Sequence, residues 1–315
     1  MRDFARQVYA FVGLGLMGGA FVRALRPVLT EARKHGEFQA LLSPRSGKTQ
    51  SGKTEGPGPA QALAFDADPQ VLIAAAEEGL IDRGFSEAGE MLALSDVVFL
   101  CLNPRSAEFF LRDHREEFKP GSLITDICGI KRSLLPLARE LSAGNLDFIP
   151  GHPMAGSEKE GFANSRAFRF TGRNYILTPL PENRPENLAF LRDLIYRLGF
   201  SRIVETSAED HDEKIAFTSQ LCHVIAAALI DSSPDASITR FGGGSFEDLT
   251  RIAEFNASMW AELFTGNRDK LTGQIDRFAA SLDRLRLLID QSRGEELQNL
   301  LAGIREKRIK MESPR

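Results

Sequence analysis

Val8-Tyr9-Ala10-Phe11-Val12-Gly13-Leu14-Gly15-Leu16-Met17-Gly18 reads as a buried strand that breaks into a glycine turn and opens a helix. Val8 to Val12 is a continuous β-prone apolar run, the pattern of a strand covered on both faces. The turn has the spacing G-x-G-x-x-G, followed by Gly19. Its first glycine makes the tight bend, its second lets backbone approach a pyrophosphate, and its third lets helix pack close to strand. Ala20, Phe21, Val22, Ala24 and Leu25 supply the apolar face of that helix. The free N–H groups and positive dipole end of such a helix suit phosphate. Gly13, Leu14, Gly15, Leu16, Met17 and Gly18 are therefore candidate dinucleotide contacts.

The fingerprint also calls for an acidic residue at the end of the second strand, about 20 residues on. That position is not acidic. A polar segment rich in Gly, Pro, Ser and Lys, residues 43–61, intervenes, and it reads as a mobile insertion. Only after it does Ala62-Leu63-Ala64-Phe65-Asp66 end in a carboxylate. Asp66 is the candidate ligand for the adenosine ribose hydroxyls, which favours NAD over NADP; its plain alternative is a turn or helix-cap aspartate, the role given to Asp68. Within the insertion, Gly47 to Thr54 matches G-x-x-x-x-G-K-[ST]. The strand before it and helix after it that a phosphate loop needs are missing, so the match is set aside.

Strand and helix signals alternate from there to Glu205. Strands are expected over 96–102, 123–128, 174–178 and 202–205, and helices over 69–78, 106–114, 131–141 and 186–198. This predicts an α/β fold, a doubly wound and largely parallel Rossmann-type sheet over residues 1–206. Ligands in such sheets bind beyond the C-terminal strand ends. Gly13, Asn103, Asp126 and His152 fall there, so Asn103 and Asp126 join the candidate cofactor contacts.

From Glu209 the pattern becomes helical, which predicts an all-helical domain over 207–315. Ile215, Thr218, Ser219, Leu221, Cys222, Ile225 and Ala226 make one stripe, with His223 inside it. His223 reads first as a core histidine satisfied by hydrogen bonds. Phe241 to Phe246 reads as a flexible connection, and Trp260, the single tryptophan, as core. Arg251 offers a fork that can grip a carboxylate, against the alternative of a solvated helix face. Ile275, Phe278, Leu282, Leu285 and Ile289 form a heptad-like seam that could pack within the domain or against a second subunit; a small helical domain rarely hides all such stripes alone, so a homodimer is expected.

At 315 residues, with 43% hydrophobic and 26% charged residues, the chain has the make-up of a globular protein with room for two cores. A net charge of −4 with both signs dispersed argues against a nucleic-acid surface. Cys101, Cys128 and Cys222 lie far apart, with neither metal nor disulfide spacing; Cys101 and Cys222 read as small buried hydrophobes, and a reducing cytoplasm is the expected compartment. Arg2 and Arg6 before an apolar run imitate a leader, but Asp3 and the glycines argue otherwise, and no stretch reads as a membrane span.

The segment Gly151-His152-Pro153-Met154-Ala155-Gly156-Ser157-Glu158-Lys159-Glu160-Gly161 places an imidazole, a carboxylate and an ammonium on what reads as a shaped loop. His152 there is a candidate acid–base group near neutral pH. With the glycine turn, Asp126-Ile127-Cys128-Gly129-Ile130-Lys131, Ser219-Gln220-Leu221-Cys222-His223 and Asp248-Leu249-Thr250-Arg251-Ile252-Ala253, this segment resembles the prephenate dehydrogenase family, with arogenate dehydrogenase as close kin. The resemblance spans most of the chain except 26–61. It implies NAD-dependent oxidative decarboxylation of prephenate to 4-hydroxyphenylpyruvate in tyrosine biosynthesis. It further implies His152 as the group that accepts the hydroxyl proton, Arg251 as carboxylate anchor and His223 as the second site histidine. Glu158 becomes a gating or substrate-facing carboxylate and Lys159 an attractor of the dianion. Gly129 stands where the family commonly has a serine that assists the histidine, so either a water or a neighbour serves instead or the rate is lower. Cys222 replaces a usual proline. Two further readings stay open: arogenate as substrate, and a non-catalytic NAD-binding sensor. A β-hydroxyacid dehydrogenase would place a catalytic lysine near Lys214, but it leaves the His152 segment unexplained.

Overall fold

A computed structural model describes residues 2–42, 60–233 and 235–312. The front half runs β1 (Val8–Val12), α1 (Leu16–Leu42), β2 (Gln61–Phe65), α2 (Pro69–Glu77), β3 (Arg83–Phe85), α3 (Ala88–Leu94), β4 (Val97–Leu100), α4 (Pro104–Asp113), β5 (Leu123–Asp126), α5 (Leu135–Ser142) and β6 (Asp147–Phe148). The six strands lie in the order β3-β2-β1-β4-β5-β6, every pair parallel. This is the doubly wound order, with its switch point between β1 and β4.

Period-two alternation explains the two cores. Tyr9, Phe11 and Phe99 face one side, where Phe21, Leu25 and Leu29 of α1 cover them. Ala10, Val12, Val98 and Leu100 face the other, against Met91, Leu92 and Leu137. Each such side chain, fully buried, contributes roughly 1.5–3 kcal/mol. The pair β3 and α3 escaped the sequence reading, because three residues are too few to show a period.

The expectation of one continuing sheet needs correction. After Phe148 the chain leaves it and builds a second sheet from β7 (Gly151–Pro153), β8 (Asn174–Leu177) and β9 (Arg202–Glu205), with α6 (Pro185–Arg197) crossing between the last two. β7 runs antiparallel to β8, and β8 parallel to β9. Pro150 has no N–H to extend the β5 ladder. Its carbonyl accepts from Thr178 N–H at 3.0 Å instead.

The back half is helical: α7 (Ala208–Ile215), a π-helical turn (Ala216–Gln220), α8 (Leu221–Asp231), α9 (Gly244–Thr250), α10 (Ala257–Gly266), α11 (Arg268–Asp290) and α12 (Gly294–Glu312). Four further expectations change here. Residues 241–246 are not all connection: a 3₁₀ turn closes at Phe241 and α9 opens at Gly244. Cys222 is exposed, since it lies on the outer side of α8. The helical run Ala208–Asp231 is long and apolar enough to cross a membrane by length and composition. It nevertheless packs on α11 and buries His211, Asp212 and Gln220. Finally, the segment expected to be an insertion is ordered at its end, where Ala60 is buried and Gln61 opens β2. The remainder, and with it Gly47 to Thr54, lies outside the described residues.

Candidate active site

A cleft of about 570 Å³ opens between the C-terminal strand ends and the helical domain. The glycine turn forms its floor. Gly13 takes φ +86°, which only glycine adopts without strain, and a Cβ on Gly18 would lie 1.9 Å from the Gly13 carbonyl oxygen. A Cβ on Gly15 would meet nothing within 4 Å, so the open side of the turn faces the cleft. Asp66, at the end of β2, accepts from Leu14 N–H at 2.6 Å and from Asp68 N–H at 2.9 Å.

His152 enters from β7 rather than from a loop. Alternation along the strand buries Gly151 and Pro153 and turns the half-buried imidazole into the cleft. Its Nδ1 lies 2.8 Å from Nε2 of His211 on α7, whose Nδ1 lies 2.7 Å from Asp212 Oδ1. Burial, then His211 and the Lys131 ammonium, push the His152 imidazole well below the ordinary histidine range. His211 is lowered chiefly by burial, against the opposing pull of Asp212. Burial raises the Asp212 carboxyl, but His211 and the amides of Arg132 and Lys131 outweigh it and hold it below its usual range.

Beneath β7, the fully buried Lys131 ammonium binds the Asp126 carboxylate and the Gly151 carbonyl. Asp126 also accepts from Gly151 N–H at 3.1 Å and Cys128 N–H at 2.9 Å. This closed set fixes the strand that carries His152. Across the cleft, His223 Nδ1–H donates to the Ser219 carbonyl at 2.9 Å, and its ring stacks on Trp260 at 3.6 Å. Burial lowers its pKa, with Arg251 adding in the same direction against the Ser219 bond. Arg251 donates to Glu158 Oε2 at 3.2 Å. Glu158 is held below the usual carboxylate range by its own backbone amide and by Arg251 and Lys159.

The family model of the prephenate dehydrogenase nucleotide-binding domain matches residues 53–204, and that of the prephenate dehydrogenase dimerization domain matches residues 207–303. The chain belongs to the prephenate dehydrogenase family. The prephenate dehydrogenase of Bacillus subtilis (strain 168) is 26% identical over 297 residues, 90% of this chain and 71% of that relative. A crystal structure of prephenate dehydrogenase from A. aeolicus, in complex with hydroxyphenyl propionate and NAD+, superposes with a TM-score of 0.78 at 26% identity, covering 99% of this chain and all of that one. The arogenate dehydrogenase of Synechocystis superposes at 0.73 with 25% identity, covering 96% of this chain and 99% of that one.

On this prephenate dehydrogenase scaffold, His152, Glu158, Lys159, His223, Arg251 and Asn103 all line the cleft, with Gly15, Leu16 and Met17. Gly13, Leu14 and Gly18 shape the turn from beneath it. Asp126 does not reach the cleft: it is 0% exposed and its carboxylate is consumed by Lys131, because a charge at that depth persists only when paired. Trp260 is not a fully buried core residue but a partly buried wall of the cleft, stacked on His223. Lys214 points away and pairs with Asp210 at 2.7 Å. Among the described residues, no group of three His, Cys, Asp or Glu is placed to hold a metal ion. His211, Asp212 and Lys131 were missed as site residues. The signal for the first two was present as adjacent His and Asp opening the helical domain, but nothing in the sequence pairs them with a strand 59 positions earlier.

Proposed function

We propose that this chain catalyses oxidative decarboxylation of prephenate to 4-hydroxyphenylpyruvate, with NAD taking up the hydride. The observation that carries the reading is the meeting of His152 and Arg251 in one cleft above the glycine turn. The turn fits a dinucleotide. Its open side is free of side chains at Gly15, the first amides of α1 would receive the phosphates, and Asp66, at the end of β2, would receive the ribose hydroxyls. The cofactor, when bound, supplies the hydride acceptor. The chain's residues do the rest. His152 takes the proton from the ring hydroxyl as the carbon beneath it is oxidised. Loss of carbon dioxide and aromatisation follow, and the phenolic oxygen regains a proton from the same imidazole. Arg251 and Lys159 receive the carboxylates, and Glu158 releases Arg251 as substrate arrives. His223, held by Ser219 and Trp260, positions the ring side chain.

Residues 1–206 then serve as the cofactor unit and 207–315 as the unit that completes the substrate wall and pairs two chains into a dimer. Three free cysteines fit a reducing cytoplasm. Arogenate is the second reading, favoured by the likeness to the Synechocystis arogenate dehydrogenase. Mixing the protein with prephenate or arogenate and with NAD or NADP, and following reduced cofactor by absorbance, decides. Prephenate with NAD is expected to turn over fastest. Cofactor binding with no turnover in any of the four combinations would leave a sensor, not an enzyme.

A further inference from the structure

The contacts of His152 fix more than its place. His211 Nδ1 meets the ionised Asp212 carboxylate, which can only accept, so that nitrogen carries the proton. In neutral His211 the Nε2 atom is then an acceptor. It faces His152 Nδ1 at 2.8 Å, so His152 must donate from Nδ1. Two neutral histidines joined this way leave His152, which lines the cleft, with a free lone pair on Nε2. The dyad is itself anchored. Asp212 accepts from the Lys131 amide at 2.8 Å and the Arg132 amide at 3.0 Å, so its carboxylate cannot swing away. Arg132 ties the same turn to Asn267 at 3.0 Å and to Asp269 at 2.9 Å, locking the helical domain against the turn that follows β5.

We propose that His211 is a positioning residue for the reaction, holding His152 in the Nδ1–H tautomer and, with Asp212, steadying the imidazolium formed when His152 accepts the hydroxyl proton. The step balances simply. The proton passes from substrate oxygen to His152 Nε2, the positive charge is shared along the Nδ1–H to His211 hydrogen bond, and the proton returns to the phenolic oxygen. The charged groups around the pair are Asp212 on α7, Lys131 and Asp126 beneath β7, and Arg251, Glu158 and Lys159 in the lining of the cleft. Asp212 is the carboxylate in hydrogen-bonded line with the two imidazoles. No hydroxyl stands at Gly129, and His211 is the side chain on His152 Nδ1. The helical domain thus contributes to the proton-handling machinery and not only to the substrate wall.

The inference rests on His152 as the base, and its test separates the two. In the intact protein, ¹⁵N chemical shifts of His152 are expected to show a protonated Nδ1 and a bare Nε2. A His152 protonated at Nε2 overturns the proposal even if His152→Asn abolishes turnover. His211→Phe keeps the volume and removes the acceptor, and kcat is expected to fall about 10–100-fold with little change in KM for either substrate. His211→Gln returns an acceptor near the Nε2 position and is expected to recover much of that loss. Equal losses in the two variants, or a loss confined to KM, would make His211 a packing residue and refute the assignment.

Discussion

The two halves of the molecule solve the same burial problem differently. The front sheet closes both faces within the chain: Phe11 and Phe99 on one side, and Val12 and Val98 on the other, are all but invisible to solvent. The helical half does not. Of the seam on α11, Phe278, Leu282 and Ile289 are exposed, and α12 adds Leu301, Ile304 and Ile309. An apolar surface of that extent on helices marks a face meant for another surface. The difference teaches where each function is housed. The self-sufficient half presents a cofactor turn of fixed shape. The open half offers one side to the cleft and leaves another, apolar side exposed.

Four perturbations test this division. His152→Asn should lower kcat by about 10²-fold or more while cofactor affinity holds, because only proton transfer is lost. Near-normal turnover in that variant would move the chemistry away from the sheet domain. Leu282→Glu puts a charge into the seam and is expected to weaken self-association by at least about tenfold, since an unpaired charge resists burial. Light scattering on the wild type should give twice the chain mass at micromolar concentration. A monomer there would mean the open face is not a dimer interface. Gly18→Ala forces a Cβ toward the Gly13 carbonyl, and the overpacking of about 1–3 kcal/mol should raise the Kd for NAD roughly tenfold without touching self-association. Unchanged NAD titrations would show that the turn is not the cofactor floor.

The smallest effect is the pH dependence of stability. His152 and His211 have folded-state pKa values below the ordinary histidine value of about 6.5. Their contribution is therefore full above that value and is lost as pH falls through the folded values, where both must charge inside the fold. Denaturant midpoints should fall on acidification below about pH 6 in the wild type, and less steeply in His211→Gln. Identical slopes would mean that other groups govern the acid limb.

How much was legible depended on how local each signal is. The glycine turn was readable because its geometry is dictated within six consecutive residues. The strands β1, β2, β4 and β5 showed their burial as apolar runs. The role of Asp126 was misread for the opposite reason. Its position at a strand end is local, but its partner Lys131 reaches it only after the turn following β5 has folded. Trp260 looked like core because residue type alone does not reveal that it stacks on His223 at a cleft edge.

The order of residues determined by itself the parallel sheet, the cofactor turn, the change to helices after Glu205 and the presence of His152, Arg251 and His223. Periodicity, turn chemistry and residue type are all properties of short stretches. Long-range packing alone settles that β7 leaves the main sheet, that Asp126 is spent on Lys131, and that His152 leans on His211 and Asp212. Those outcomes come from meetings between side chains dozens of positions apart. There the free energy lies in pairing buried polar groups, and spacing along the chain says nothing about which pairs will meet.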